Sequence, residues 1–443
     1  MMPKLSVHVM QDGERVPMLQ DESGVPLFYP TLYATSQLRN AGVAVNTIRN
    51  KLADLIVLLR WEVANCRNLI SEFQGGRFLT IADVVSLRDF AKLDMRNWKS
   101  DGHSTGKPGV HVPSFLEATI ASSRALAAIG PQQHFNRLST IADYLEFTAS
   151  VVTQYRNSHQ IVQEISRMVT AIRKHRPRGL AKHLEDEPER RSPPTEVVNR
   201  FMAVGSEHDP RNPFKHPDIR LRNAIIFGLL RHTGMRRGEL LSLRLDQFDL
   251  GHEPLVWVRR TQDDKLDSRR HQPVAKTKER PLPLPDELAK QLGRYMLQVR
   301  APITPARKHP YLLISHRKGT GWGQPLSISA LNSQIFGRMR AVDRDFELIH
   351  PHAFRHHFNY ELSRSIDEHN AKAQSGANTA CATPISEHRE LDVRAFLNGH
   401  RHRASGATYN RRHVREVSNE AARSLQEKMM RPAPTNKDGD EVS

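Results

Sequence analysis

Residues 399–412 read GHRHRASGATYNRR, one tyrosine among two histidines and four arginines. A phenol so placed is either a stray aromatic on a solvated basic surface or a group that meets something anionic. Neighbouring cations would favour its ionised form. A second stretch, RHTGMRRGELLSLRLDQFDL, ends one helix at Thr233-Gly234 and opens another on Arg236 and Arg237. Two cations there oppose the helix dipole. That makes sense if an anion binds, or if Glu239, three residues after Arg236, holds a guanidinium. The plain alternative is a surface ion pair. A third stretch, IHPHAFRHHFNYEL, puts His352 and Arg355 on one face of a helix beginning after Pro351. The imidazole can move a proton and the guanidinium can fork onto phosphate oxygens. His350, His352, His356 and His357 also raise a zinc reading. His352 and His356 have the spacing of a metalloprotease helix, but Ala353 stands where that motif needs Glu. Structural histidines are the alternative.

These residues need elements to hold them. Leu52, Leu55, Ile56, Leu59 and Val63 recur at helical spacing, as do Ile161, Ile165, Met168 and Ile172. In FLTIADVVSLRDF, Thr80 and Asp83 are placed as an N-terminal cap pair. The first half therefore reads as a helical bundle, interrupted by the Gly/Ser/Pro-rich loop KSDGHSTGKPGVHVP. Before it, LSVHVM and GVPLFYP look β-like. Residues 174–195, proline-rich and of mixed charge, read as a linker. In the second half, PTEVVNRFMAV and PDIRLRNAIIFGLLRHTG predict helices and LVWVRR a strand. RHQPVAKTKERPLPLP predicts two short strands around a lysine-rich turn. Further helices extend to about residue 427, and the polar tail reads as disordered.

The chain has 443 residues, room for two or three domains, and Lys+Arg exceeds Asp+Glu by 65 − 48 = 17. Such a charge favours an anionic polymer as partner, nucleic acid above all. No apolar run reaches the roughly 18 residues of a membrane span, and the first residues lack a signal peptide's apolar stretch. Cys66 and Cys381 are the only two cysteines and build neither a disulfide framework nor a cysteine zinc site. A reducing cytosol is the expectation.

Taken in chain order, the clusters resemble the tyrosine recombinases, or phage-type integrases. Arg236 lies in TGMRRGEL, Lys276 in VAKTKERPLPLP, His352 and Arg355 in HAFRH, His400 in NGH and Tyr409 in ATYN. The resemblance covers about residues 195–425. It implies catalytic Arg236, Lys276, His352, Arg355 and His400, with Glu239 supporting and Tyr409 as nucleophile. It also implies a mainly α fold with a small β-sheet, in which a helical core-binding domain and a mixed α/β catalytic domain form a clamp around DNA. The corresponding boundaries are an N-terminal extension 1–30, a core-binding domain 31–173, a linker 174–195, a catalytic domain 196–427 and a tail 428–443. Two departures stand out. The polar segment at about 367–390 is long, and so is the stretch between Arg236 and the lysine turn. Lys278 is thus the second candidate for the catalytic lysine and Lys265 a distant third.

The resemblance implies site-specific cutting and rejoining of double-stranded DNA through a 3′-phosphotyrosyl link, in the service of a mobile element. It implies a homo-tetramer on DNA, with room for accessory proteins, no cofactor, no metal and no membrane. The expected location is the cytoplasm, on the bacterial nucleoid when bound. Type IB topoisomerase-like relaxation and an inactive DNA-binding protein of the same fold are the alternatives; a zinc hydrolase is disfavoured.

Overall fold

The computed structural model describes residues 3–95, 127–156, 158–178, 192–374, 383–400 and 411–430. The chain divides into two compact units, residues 1–182 and 183–443. Among the described residues no helix is long and apolar enough to cross a membrane.

The first unit opens with a hairpin of β1 (Lys4–Val9) and β2 (Arg15–Gln20), paired antiparallel from Lys4↔Gln20 to Val9↔Arg15. The second β-like piece, GVPLFYP, forms no strand. Asp21 Oδ1 accepts the Val25 N–H at 2.9 Å, and the chain leaves the hairpin after one bridge, Gln20↔Pro26. Pro26 has no N–H with which to extend the ladder. Helix α1 (Phe28–Leu32) follows and continues with π geometry over Tyr33–Arg39. Then come α2 (Val45–Ala64), α3 (Leu69–Gln74), α4 (Ile81–Ala91), α5 (Pro131–Val152) and α6 (His159–Lys174). Thr80 and Asp83 cap α4 reciprocally, at 3.2 and 2.9 Å. Leu52 and Leu55 are buried, as are Ile165, Met168 and Ile172, whereas Val63 is exposed. Leu19 of the hairpin lies in the same core. The loop KSDGHSTGKPGVHVP, most of the proposed linker and the end of the polar tail fall outside the described residues.

The second unit begins with α7 (Thr195–Val204), α8 (Pro217–Thr233) and the short α9 (Arg237–Ser242). A three-stranded antiparallel sheet follows, β3 (Phe248–Asp249), β4 (Leu255–Val258) and β5 (Arg280–Pro283), in the order β3-β4-β5. Then come α10 (Asp286–Arg294), α11 (Gly337–Arg340), α12 (Pro351–Gln374), α13 (Glu387–Asn398) and α14 (Arg411–Met430). Phe201 sits at the centre of the core, its ring 5.0–6.0 Å from those of Phe227, Phe336, Phe346 and Phe354. The fold is thus mainly α with small sheets.

Of the two strands expected in RHQPVAKTKERPLPLP only the second, β5, forms, and it pairs with β4 through Val256↔Leu282 and Val258↔Arg280. The upstream half runs main chain against the start of α9. A Cβ on Gly238 would lie 2.9 Å from the Val274 carbonyl oxygen. Part of the long polar segment after Arg355 is an extension of α12. Asn370 near its end brackets Ile385, accepting its N–H at 2.7 Å and donating to its carbonyl at 3.1 Å.

Candidate active site

Three chain turns converge beside α12. The first is the end of α8. Gly234 adopts φ +58°, and a Cβ there would lie 2.5 Å from the Phe358 ring. This close approach, which only glycine permits, sets the Gly234 carbonyl beside α12. The second is the lysine turn before β5. The third is the end of α13, where Gly399 at φ +62° closes the helix and leads to His400.

Arg355 is the anchor. It is fully buried on α12, and its guanidinium donates to the Gly234 carbonyl at 3.0 Å, the Asn398 carbonyl at 2.9 Å and His400 Nε2 at 3.2 Å. Arg236, at the N-cap of α9 and partly exposed, donates to the same Asn398 carbonyl at 3.2 Å. One carbonyl therefore holds two guanidinium groups side by side. Burial first, then the charges of Arg355 and Arg236, depress the His400 pKa to about 4. His400 is accordingly neutral at pH 7. Its Nε2 accepts from Arg355, so its proton sits on Nδ1, the atom from which it can donate.

Glu239 is buried and does more than the sequence indicated. It accepts the Arg236 N–H at 2.8 Å, but its nearest guanidinium is that of Arg280, at 3.1 Å, against 3.6 Å for Arg236. It also accepts the Thr277 hydroxyl at 2.5 Å. Burial pushes its pKa up, yet Arg280, Thr277, the Arg236 N–H and Arg355 outweigh it and leave the carboxyl below its ordinary value.

Lys276 is exposed on the turn, with Thr277 fastened to Glu239 and the Lys278 N–H donating to the Gly399 carbonyl at 3.2 Å. Lys278 and Lys265 are exposed as well. His352 is exposed on the first turn of α12, one helical turn before Arg355, its ring 4.6 Å from that of His356. His350 Nδ1 accepts the Ala353 N–H at 3.1 Å, and His357 lies 3.6 Å from the Glu361 carboxylate. Among the described residues no group of three or more His, Cys, Asp or Glu side chains is placed to hold a metal. Tyr409 lies outside the described residues.

The structure thus brings Arg236, Glu239, Arg355 and His400 into direct contact, with the Lys276 turn fastened to the same cluster. Sequence reading missed Arg280, Thr277, Asn359 and Asn398. Asn398 forms a reciprocal amide pair with Asn359, at 2.7 and 3.0 Å, which holds the end of α13 on α12. The signal available was an Asn-Gly pair closing an amphipathic helix just before His400.

Clustered guanidinium groups, a neutral imidazole and a nearby lysine turn on a mainly helical unit define an anion site suited to phosphate oxygens. Residues 196–376 match the model of the phage integrase family. That match spans less than half of the chain, and it is what this part of the second unit is similar to: the phage-type integrases, or tyrosine recombinases. No curated protein matches the chain. Among solved structures it is similar to the XerA recombinase, at 13% identity over 91% of this chain and 99% of that one, with a TM-score of 0.33. It is also similar to the XerH site-specific recombinase in a post-cleavage complex with palindromic difH substrate, at 14% identity over 90% and 94% of the two chains, TM-score 0.39. The pre-cleavage XerH complex with difH substrate gives 13% identity over 88% and 93%, TM-score 0.40.

Proposed function

We infer that this recombinase cuts and rejoins double-stranded DNA by metal-free transesterification, with Tyr409 as nucleophile, and that it serves a mobile element. Residues 31–173 are the core-binding domain and 196–427 the catalytic domain. The observation that carries this reading is the shared Asn398 carbonyl, which sets the guanidinium groups of Arg236 and Arg355 side by side next to His400.

The phenol needs help. A tyrosine of pKa about 10 is ionised in about one molecule per thousand at pH 7. His352, exposed at the start of α12, takes its proton. The phenolate oxygen bonds to phosphorus, giving a 3′-phosphotyrosyl link, and the bond to the 5′-oxygen breaks. Lys276 protonates that oxygen, which leaves as a hydroxyl. Arg236 and Arg355 hold the non-bridging oxygens, and the Nδ1–H of His400 adds a hydrogen bond. Arginine suits this work because it keeps its charge and its fork matches phosphate. The energy of the broken bond is kept in the new ester, so resealing needs no nucleotide.

Exchange between two duplexes requires four such sites, hence a homo-tetramer on DNA. Val414, Val417 and Leu425 leave apolar surface exposed along α14 that a neighbouring protomer would cover. The net charge of +17 supports DNA as partner and the nucleoid as the place of action.

The test is covalent trapping. The wild-type chain is incubated in EDTA with DNA ends from its own genomic neighbourhood and resolved under denaturing conditions. A protein–DNA adduct is expected, and Tyr409→Phe should bind the DNA yet form none. An adduct that survives in Tyr409→Phe, or cleavage that stops in EDTA, overturns the reading. Tyr360, the other tyrosine near the motifs, is a poor substitute: it is buried and its hydroxyl donates to Glu416 at 2.8 Å. Relaxation of a supercoiled circle without strand exchange would identify a topoisomerase instead.

A further inference from the structure

The turn that carries Lys276 and the segment that carries His400 are built as one piece. Arg280 Nε donates to the Leu397 carbonyl at 2.8 Å, while its Nη1 reaches Thr277 Oγ1 at 3.0 Å and the Lys278 carbonyl at 3.3 Å. Its Nη2 donates to Glu239 at 3.1 Å. The same guanidinium thus grips both sides of the gap, and the Lys278 N–H crosses it to the Gly399 carbonyl. Gly399 lies hard against the side chains of Arg280 and Thr277. A Cβ on Gly399 would stand 2.6 Å from Arg280 Nη1 and 2.7 Å from Thr277 Cβ. Arg280 itself is 1% exposed, too deep to meet a DNA strand.

We propose that Arg280 and Thr277 are positioning residues that lock the lysine turn onto Gly399–His400 and thereby aim the Lys276 ammonium at the departing 5′-oxygen. The inference rests on the transesterification reading above. In that reaction the Tyr409 oxygen–phosphorus bond forms and the phosphorus–O5′ bond breaks. The phenol proton passes to His352, and a Lys276 proton passes to O5′, leaving a 5′-hydroxyl and a neutral amine. A loosened turn harms only the second transfer. That transfer can be made unnecessary. With sulfur in the bridging 5′ position the leaving group is a thiolate, whose conjugate acid has a pKa of about 8.5, far below that of an alcohol, so it departs without a proton.

The experiment measures single-turnover adduct formation by the full-length chain on matched DNA with oxygen or sulfur at the 5′ bridge. Wild type, Lys276→Ala, Arg280→Lys and Thr277→Val are compared. On oxygen, Lys276→Ala should slow cleavage about 10³-fold, Arg280→Lys about 10²-fold and Thr277→Val about tenfold. On sulfur all three should return to within about threefold of wild type, as expected when only proton delivery is lost. Equal losses on both substrates for Arg280→Lys and Thr277→Val would overturn the proposal and leave these residues a purely structural role. Should Arg280→Lys fail to fold, Thr277→Val decides alone, since it removes one hydroxyl and keeps the shape of the side chain. Two other results would locate the failure in the underlying reading: no wild-type adduct on either substrate, or a Lys276→Ala defect that sulfur does not relieve.

Discussion

In the helical unit Arg173 on α6 reaches Asp143 and Glu146 on α5 at 3.0 and 2.9 Å, and all three side chains are more than a third exposed. In the second unit Arg280 reaches Glu239 at a similar 3.1 Å, with both side chains at or below 1% exposure. The distances match and the physics does not. The first pair is a by-product of two amphipathic helices packed side by side, and water screens it. The second has lost its hydration, and its further hydrogen bonds to Thr277, Leu397, the Lys278 carbonyl and the Arg236 N–H help to offset that loss. The helical unit buries Arg15 and Arg137 as well. The Arg137 guanidinium donates to the Ala91 and Leu93 carbonyls, closing the end of α4, and lies 3.6 Å from Asp54 on α2. In the second unit the buried Arg280–Glu239 pair joins three turns that are distant in sequence.

The contrast is broken most directly by removing the buried carboxylate. Glu239→Ala leaves Arg280 inaccessible and without its counter-charge, and should destabilise the protein by about 3–5 kcal/mol in chemical denaturation. A loss below about 1 kcal/mol would place this pair in the same energetic class as the exposed one.

Two glycines sharpen the point at smaller cost. Gly399→Ala must accept both a left-handed backbone and contact with Arg280 and Thr277, and should cost about 1–3 kcal/mol while abolishing adduct formation. Gly24, at φ +87°, has nothing within 4 Å of its would-be Cβ. Gly24→Ala should cost only the backbone term, about 1 kcal/mol, and leave cleavage intact. Equal effects on cleavage would mean that the close approach of Arg280 and Thr277 to Gly399 does not matter to the site.

A pH series probes the site's own histidine. Burial and the guanidinium groups of Arg355 and Arg236 depress His400 from 6.5 to about 4. Between those values the unfolded chain binds a proton that the folded one refuses. The contribution is therefore complete above pH 6.5 and falls away as the pH drops toward 4. Denaturation midpoints should decline over that window in wild type and decline less in His400→Gln. Identical slopes would show that His400 is not the group refusing the proton.

Legibility in the sequence follows the same divide. The helical unit was readable because periodicity reports burial: Leu52, Leu55, Ile165, Met168 and Ile172 are apolar, regularly spaced and inaccessible. Its one misread stretch, GVPLFYP, has strand-like composition but a proline that ends the ladder. In the second unit the motif residues Arg236, Glu239, Arg355 and His400 stand out by type and order, and they meet. Arg280 did not stand out, because an arginine in KTKERPLPLP reads as solvated surface until Glu239, 41 residues earlier, is known to face it. Asn359 and Asn398 were equally silent: their amide pair spans 39 residues and leaves no local pattern.

The smallest predicted effect guards the other end of the comparison. Arg173→Ala removes contacts to two carboxylates, yet the pairs are exposed and the long side chain regains its freedom when released. The expected change is about 0–1 kcal/mol, fading further as salt rises from 50 to 500 mM. Asp143 also lies 3.5 Å from Lys51, so it keeps a cation when Arg173 is gone. A loss above about 2 kcal/mol, or one insensitive to salt, would mean that this cluster is desolvated in solution.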